Sequence, residues 1–262
     1  AVKHKTNLYI IVNNSGKIEA LDINQPGSVG LIDDLVSPRD MAFLDESTAL
    51  VTSLYSDSLT IVNIDRYEIT GYIDIQNTSE EILVTGNKVF VSNWSGGNSI
   101  TVLQMPELSI IKTITVPKEP SGMVVDKAGN LRIICSGGYL NEDYPAIVSI
   151  DTATLNKVGT LTFPTRMCNP GELIINKSKD TLYYLNEDIY QISFEDSEIP
   201  SAPLINSMGR NLYRLGYDSD NNFIVVTDAV DYVQKGYIYI YTGDGKEKYS
   251  FNAGIIPGKM SF

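Results

Sequence analysis

Histidine occurs once in these 262 residues, at His4, in a polar N-terminal stretch expected to fray. That scarcity argues against a Ser-His-Asp triad, a Cys-His pair, histidine-ligated zinc and imidazole proton shuttling. Cysteine is nearly as scarce. Cys135 and Cys168 cannot define a disulfide framework or by themselves build a zinc site, and both read as small buried hydrophobes rather than as a bridge. No metal and no cofactor is expected. No apolar run approaches the ~18–20 residues of a membrane-crossing helix. Basic residues are outnumbered, with 20 Lys and Arg against 32 Asp and Glu, and the net charge of −12 repels phosphate backbones. Nucleic acid is therefore not an expected partner, and the acidity serves solubility. Residues 136–138 (SGG) are too short for a phosphate loop and lack a strand-to-helix setting. No secretory leader is readable at residues 1–6, so the sequence is expected to start downstream of any leader.

What the chain does have is one unit, repeated. Its clearest copies are residues 59–65 (LTIVNID) and 146–151 (AIVSID). Fainter ones are 17–22 (KIEALD), 99–104 (SITVLQ), 188–193 (DIYQIS) and 237–242 (YIYIYT). Asp22 and Asp65 lie 43 positions apart, and Asp65 and Asp151 lie 86 apart, twice that distance. A period of ~40–45 residues with several strands per copy marks a β-propeller, whose four-stranded blades gather equivalent loops onto one face. Residues 1–262 read as a single all-β propeller domain with about six readable blades, at 7–36, 38–75, 80–116, 120–163, 170–206 and 211–252. The first shows three strands and the fifth ends in a poorly marked strand near 203–205 (PLI). Residues 255–262 (IIPGKMSF) read as a spare strand, expected to enter the first blade and sew the ring shut, which would remove two open sheet edges. In the alternative closure, residues preceding Ala1 form a seventh blade.

Strand direction alternates within a blade, so the loop after each second strand shares a face with the link to the next blade. Aromatic and polar residues collect there. The first three second-strand loops offer Asn14, then Tyr55 and Asp57, then Asn93 and Trp94. The next three offer Tyr139, Asp143 and Tyr144, then Glu187 and Asp188, then Asp231 and Tyr232. The links add Arg39, Arg166, Arg210 and Arg214, of which Arg39 and Arg214 join the candidate ligand-binding set. Aromatic rings would supply flat apolar contact, and amides and carboxylates would supply directed hydrogen bonds. Packing of individual tyrosines between blades is the competing explanation. Asp228 and Asp231, with Asp143 and Glu187, could ligate calcium, but no EF-hand spacing is present and solvated turn acids fit better. Paired carboxylates for glycoside chemistry stay open, because sequence does not give their separation.

The repeats, residues 59–75 (LTIVNIDRYEITGYIDI) above all, resemble the YncE-like, or surface-layer-type, β-propellers. A narrower similarity runs through residues 8–24 (LYIIVNNSGKIEALDIN), 37–44 (SPRDMAFL), 65–73 (DRYEITGYI) and 180–190 (DTLYYLNEDIY). It continues in residues 228–236 (DAVDYVQKG), 254–258 (GIIPG) and the loops Asn93-Trp94-Ser95 and Gly137-Gly138-Tyr139. Together they resemble the surface lipoprotein propellers of gut anaerobes that include the BtuG-type corrinoid-binding proteins. The resemblance implies an outward-facing protein held at the outer membrane by a lipid anchor. It implies capture of a corrinoid (cobalamin-like) or another small molecule, transfer to a TonB-dependent outer-membrane transporter, and no reaction. It also implies seven blades, with residues 8–24 matching the second. The lipid-bearing cysteine of such proteins has no counterpart in this sequence, and the candidate contacts come from face geometry alone. Two other readings stand beside it: a structural or adaptor propeller holding a protein or glycan, and a carboxylate-dependent hydrolase or lyase.

Overall fold

The repeat folds into six successive antiparallel sheets in a computed structural model that describes residues 1–25 and 27–262. The chain forms two compact units, Ala1–Ser121 and Gly122–Phe262. In the first unit, sheet I holds β1 (Val2–His4), β2 (Asn7–Val12), β3 (Lys17–Asp22) and β4 (Ser28–Ile32). Sheet II holds β5 (Pro38–Phe43), β6 (Thr48–Ser53), β7 (Ser58–Asn63) and β8 (Glu68–Asp74). Sheet III holds β9 (Ile82–Thr85), β10 (Lys88–Asn93), β11 (Ser99–Gln104) and β12 (Ser109–Thr115). Sheet IV, which starts at the unit boundary, holds β13 (Pro120–Val125), β14 (Asn130–Cys135), β15 (Ala146–Asp151) and β16 (Lys157–Thr162). In the second unit, sheet V holds β17 (Gly171–Ile175), β18 (Thr181–Asn186) and β19 (Asp188–Ser193). Sheet VI holds β20 (Leu212–Asp218), β21 (Phe223–Asp228), β22 (Lys235–Thr242) and β23 (Glu247–Ile255). Strands pair in chain order within every sheet, which is the blade pattern of an all-β propeller, and the described residues contain no α-helix.

Burial explains the sequence pattern. In β6, Leu50 points into a cluster with Leu59, Val89 and Leu103, while Ala49 and Val51 point into another with Tyr9, Ile18 and Met41. In β18, Leu182 and Tyr184 pack with Ile134 and Phe163, while Tyr183 and Leu185 pack with Leu215 and Val226. A strand covered on both faces needs apolar residues at consecutive positions, so these middle strands lack alternation. The fourth strands are outer edges and recover polarity: β8 alternates exposed and half-buried residues, and β16 and β23 are mostly exposed. The third and fourth strands share one register shift in each of sheets I, II, III and IV and two in sheet VI, for example between Ile61 and Val62 and between Ser149 and Ile150. A bulge recurring in these outer hairpins adds local twist to each of them.

The expected closure by the C-terminal strand is corrected. The strand that completes sheet I is β1, at the N-terminus, paired with β2 in the first position of the sheet, and Ile255 ends β23 of sheet VI opposite Lys235. His4 stacks on Phe43 with ring centroids 4.1 Å apart, so an aromatic contact holds the polar start of the chain that was expected to fray. Pro257, which has no N–H for a ladder, follows β23 closely. Met260 and Phe262 lie over β20, where a Cβ at Gly216 would meet their side chains at 3.1 and 2.8 Å. Sheet V also departs from the four-stranded expectation. Its fourth strand, looked for near residues 203–205, is reduced to one bridge between Ile189 and Ile205.

Candidate functional site

The first strands of sheets II, V and VI each start with a register shift against the second strand, between Pro38 and Met41, Gly171 and Ile174, and Leu212 and Arg214. A bulge re-aims the side chains it carries. In the first unit it presents Arg39, whose Nε and Nη2 donate to the two carboxylate oxygens of Glu80 at 2.7 and 2.6 Å. In the second unit it presents Glu172 and Arg214, which bond through Arg214 Nη1. All four side chains are partly buried, so each pair is a half-desolvated ion pair joining neighbouring sheets of its unit, and Arg39–Glu80 is forked. Arg39 and Arg214, expected to reach a ligand, thus each carry a carboxylate partner. Glu80 and Glu172 were not among the residues expected from sequence. The signal is there: each acid sits 41 or 42 positions from its arginine, one repeat period away.

In the first unit, Asn14 and Tyr55 come together in a pocket of about 360 Å³ also lined by Asn13, Gly16, Leu35 and Ser37. The Asn13 amide donates to Ser37 Oγ and to the Pro38 carbonyl, which pins one wall. Tyr55 is 75% exposed, leaving its ring free as a stacking surface. Asp57 is exposed and accepts the Ser58 hydroxyl proton. Asn93 is fully buried. Its Oδ1 accepts from Ser99 Oγ at 3.0 Å and Thr101 Oγ1 at 2.9 Å, and its Nδ2 donates to the Thr78 carbonyl. Asn93 therefore shapes its loop from inside. Trp94 beside it is half-buried, and its carbonyl accepts the Gly97 N–H that closes the turn.

In the second unit, Tyr139 and Tyr144 are exposed and Asp143 is half-buried on one loop. Two left-handed glycines, Gly137 and Gly138, hold this loop back on itself, and a Cβ at Gly137 would meet the Asp143 carbonyl oxygen at 2.5 Å. The Arg166 guanidinium lies 5.1 Å from the centre of the Tyr144 ring. Tyr232 packs edge-on against Tyr213, whose ring carries the Arg214 guanidinium at 4.7 Å. Glu187 is exposed in the left-handed region. Asp188 accepts the Ser207 N–H at 2.7 Å. Asp231 accepts N–H protons from Val233 and Gln234 and the Gln234 amide, and the Gln234 N–H leads in holding its carboxyl below the usual carboxylate range. Asp228 is buried and accepts from Asn211 and Val230. These acids are turn formers, and the described residues contain no group of three or more His, Cys, Asp or Glu placed to hold a metal. Cys135 and Cys168 are both free, and burial pushes the Cys135 thiol up.

No protein-family model matches the chain, and no curated protein does. Solved structures do. A functionally unknown protein from Desulfotomaculum acetoxidans is 12% identical with a TM-score of 0.74, over 96% of this chain and 81% of that one. A quinonprotein alcohol dehydrogenase-like protein from Bacteroides thetaiotaomicron is 16% identical with a TM-score of 0.70, over 96% and 67%. Hydrazine synthase from Kuenenia stuttgartiensis is 13% identical with a TM-score of 0.70, over 89% and 73%. At these identities the likeness is one of fold alone.

Proposed function

We propose that this chain is a non-enzymatic β-propeller that binds a ligand on its second-strand loops, and that the ligand is a corrinoid displayed to the protein at the cell surface. One observation carries the binding reading. Aromatic rings stand exposed on these loops while the scaffold beneath them is buried and hydrogen-bonded: Tyr55 in the first unit, and Tyr139, Tyr144 and Tyr232 in the second. Rigidly supported aromatics beside amides suit a large, flat ligand edged with amides. The corrinoid itself, the outer-membrane location and delivery to a TonB-dependent transporter rest on the sequence resemblance. The hydrolase or lyase reading would need a carboxyl open to a substrate; Asp231, Asp188 and Asp228 are each engaged by backbone N–H groups. An adaptor role draws support from the exposed Tyr139, Leu140 and Met167, residue types that interfaces favour.

Thermal unfolding with cyanocobalamin tests the proposal. Ligand at 100 times its dissociation constant adds about 2.7 kcal/mol, a rise in Tm of about 5 °C for a chain of this size. No shift at high micromolar ligand removes the corrinoid. Recovery of a transporter without any small ligand would favour the adaptor.

A further inference from the structure

We propose that Arg166, laid over Tyr144 beside the long loop of sheet IV, receives an anionic oxygen group carried on a flat apolar body. The chain has six arginines. Five hold a carboxylate: Arg39 with Glu80, Arg66 with Glu68, Arg132 with Asp126, Arg210 with Glu247 and Arg214 with Glu172. Arg166 has no acid within ion-pair reach among the described residues, in a chain of net charge −12. Its guanidinium is instead held on the Tyr144 ring, 5.1 Å from the centroid. A ring under one face of a guanidinium leaves the in-plane N–H donors free, and that fork matches a carboxylate or phosphate.

The surroundings supply the apolar part. Tyr139 is 89% exposed and Met167 78% exposed. The Asn141 amide approaches the Met167 sulfur at 3.9 Å, which ties the loop to the link bearing Arg166. The Glu142 carboxylate accepts the Leu140 N–H at 3.0 Å. The loop's shape is set before any ligand arrives, because Asp143 donates its N–H to the Gly137 carbonyl and Asn141 donates to that of Gly138. This inference rests on reading the second-strand loops as a binding surface, and it is independent of the corrinoid.

The test uses a matched pair of probes on the full chain: anilinonaphthalenesulfonate and its uncharged parent, phenylnaphthylamine, followed by fluorescence. The wild type should bind the anion about five- to tenfold more tightly, the range of an exposed charge contact with a cation–π-held partner. Arg166→Gln should abolish that preference without weakening the uncharged probe, and Arg166→Lys should keep part of it. Equal affinities in the wild type, binding of neither probe, or an undiminished preference in Arg166→Gln would each overturn the proposal. Failure of cyanocobalamin to bind would leave these outcomes unchanged, so the two proposals fail separately.

Discussion

Two buried side chains in this protein illustrate opposite balances of the same interaction. Asn93 satisfies two hydroxyls and one carbonyl at once. Asn93→Ala should therefore destabilise by about 2–3 kcal/mol, since it leaves buried polar groups without partners; chemical denaturation reads this directly, and a loss under ~0.5 kcal/mol would contradict the role. Tyr184 is the reverse. It is fully buried against Phe163 and Tyr190, and its hydroxyl has no hydrogen-bond partner among the described residues. Tyr184→Phe keeps the packing and removes an unmet hydroxyl, so it should stabilise by about 1 kcal/mol in the same measurement. Neither role is visible in sequence. Asn93 sits in a loop that looks like a binding loop, and its partners Ser99, Thr101 and Thr78 become neighbours only after the hairpins form.

At the level of elements, the strands were legible because each blade repeats them at one period. The exceptions have physical causes. β1 is only three residues, Val2, Lys3 and His4, too short for a pattern, and it is held by its ladder with β2, by Val2 against the core and by the His4 stack on Phe43. The spare C-terminal strand was misplaced because β23 runs nine residues and takes Ile255 into its own hairpin. Bulges at the starts of β5, β17 and β20 are invisible as patterns, and they set the Arg39–Glu80 and Glu172–Arg214 pairs. Removing one partner of a half-buried ion pair strands the other charge, so Glu172→Ala should cost about 1–2 kcal/mol, below the 3–5 of a fully buried pair. The Lys5–Glu46 pair joins two exposed side chains, and Glu46→Ala should leave the melting temperature unchanged. Equal losses in the two variants would contradict this ranking.

At the scale of the whole molecule, acidity and turn chemistry are one feature. Asp45, Asp218 and Asp231 accept hydrogen bonds within their turns, chiefly from the Ser47 N–H, the Asn221 amide and the Gln234 N–H, and their carboxyls lie below the ordinary 3.8. A carboxyl depressed in the folded state contributes stability above its unfolded value and loses it as pH falls through the folded one. Against this, acidification from pH 7 relieves the repulsion of a −12 chain. Thermal melts should therefore hold level or rise slightly down to about pH 5 and then fall steeply below about pH 4. A melting temperature that keeps rising to pH 3 would contradict the turn assignment.

The proposed ligand-binding reading rests on exposed tyrosines carried by the loops of a propeller scaffold. Calorimetric titration of cyanocobalamin into the wild type and into Tyr139→Ala tests that account most directly. Tyr139 is nearly free of the fold, so its loss should spare stability while weakening binding by about 1–3 kcal/mol, as for an aromatic anchor. Saturable heat in the wild type with that loss in the variant is the predicted result. The absence of heat at micromolar ligand, or the same affinity in both proteins, would contradict it.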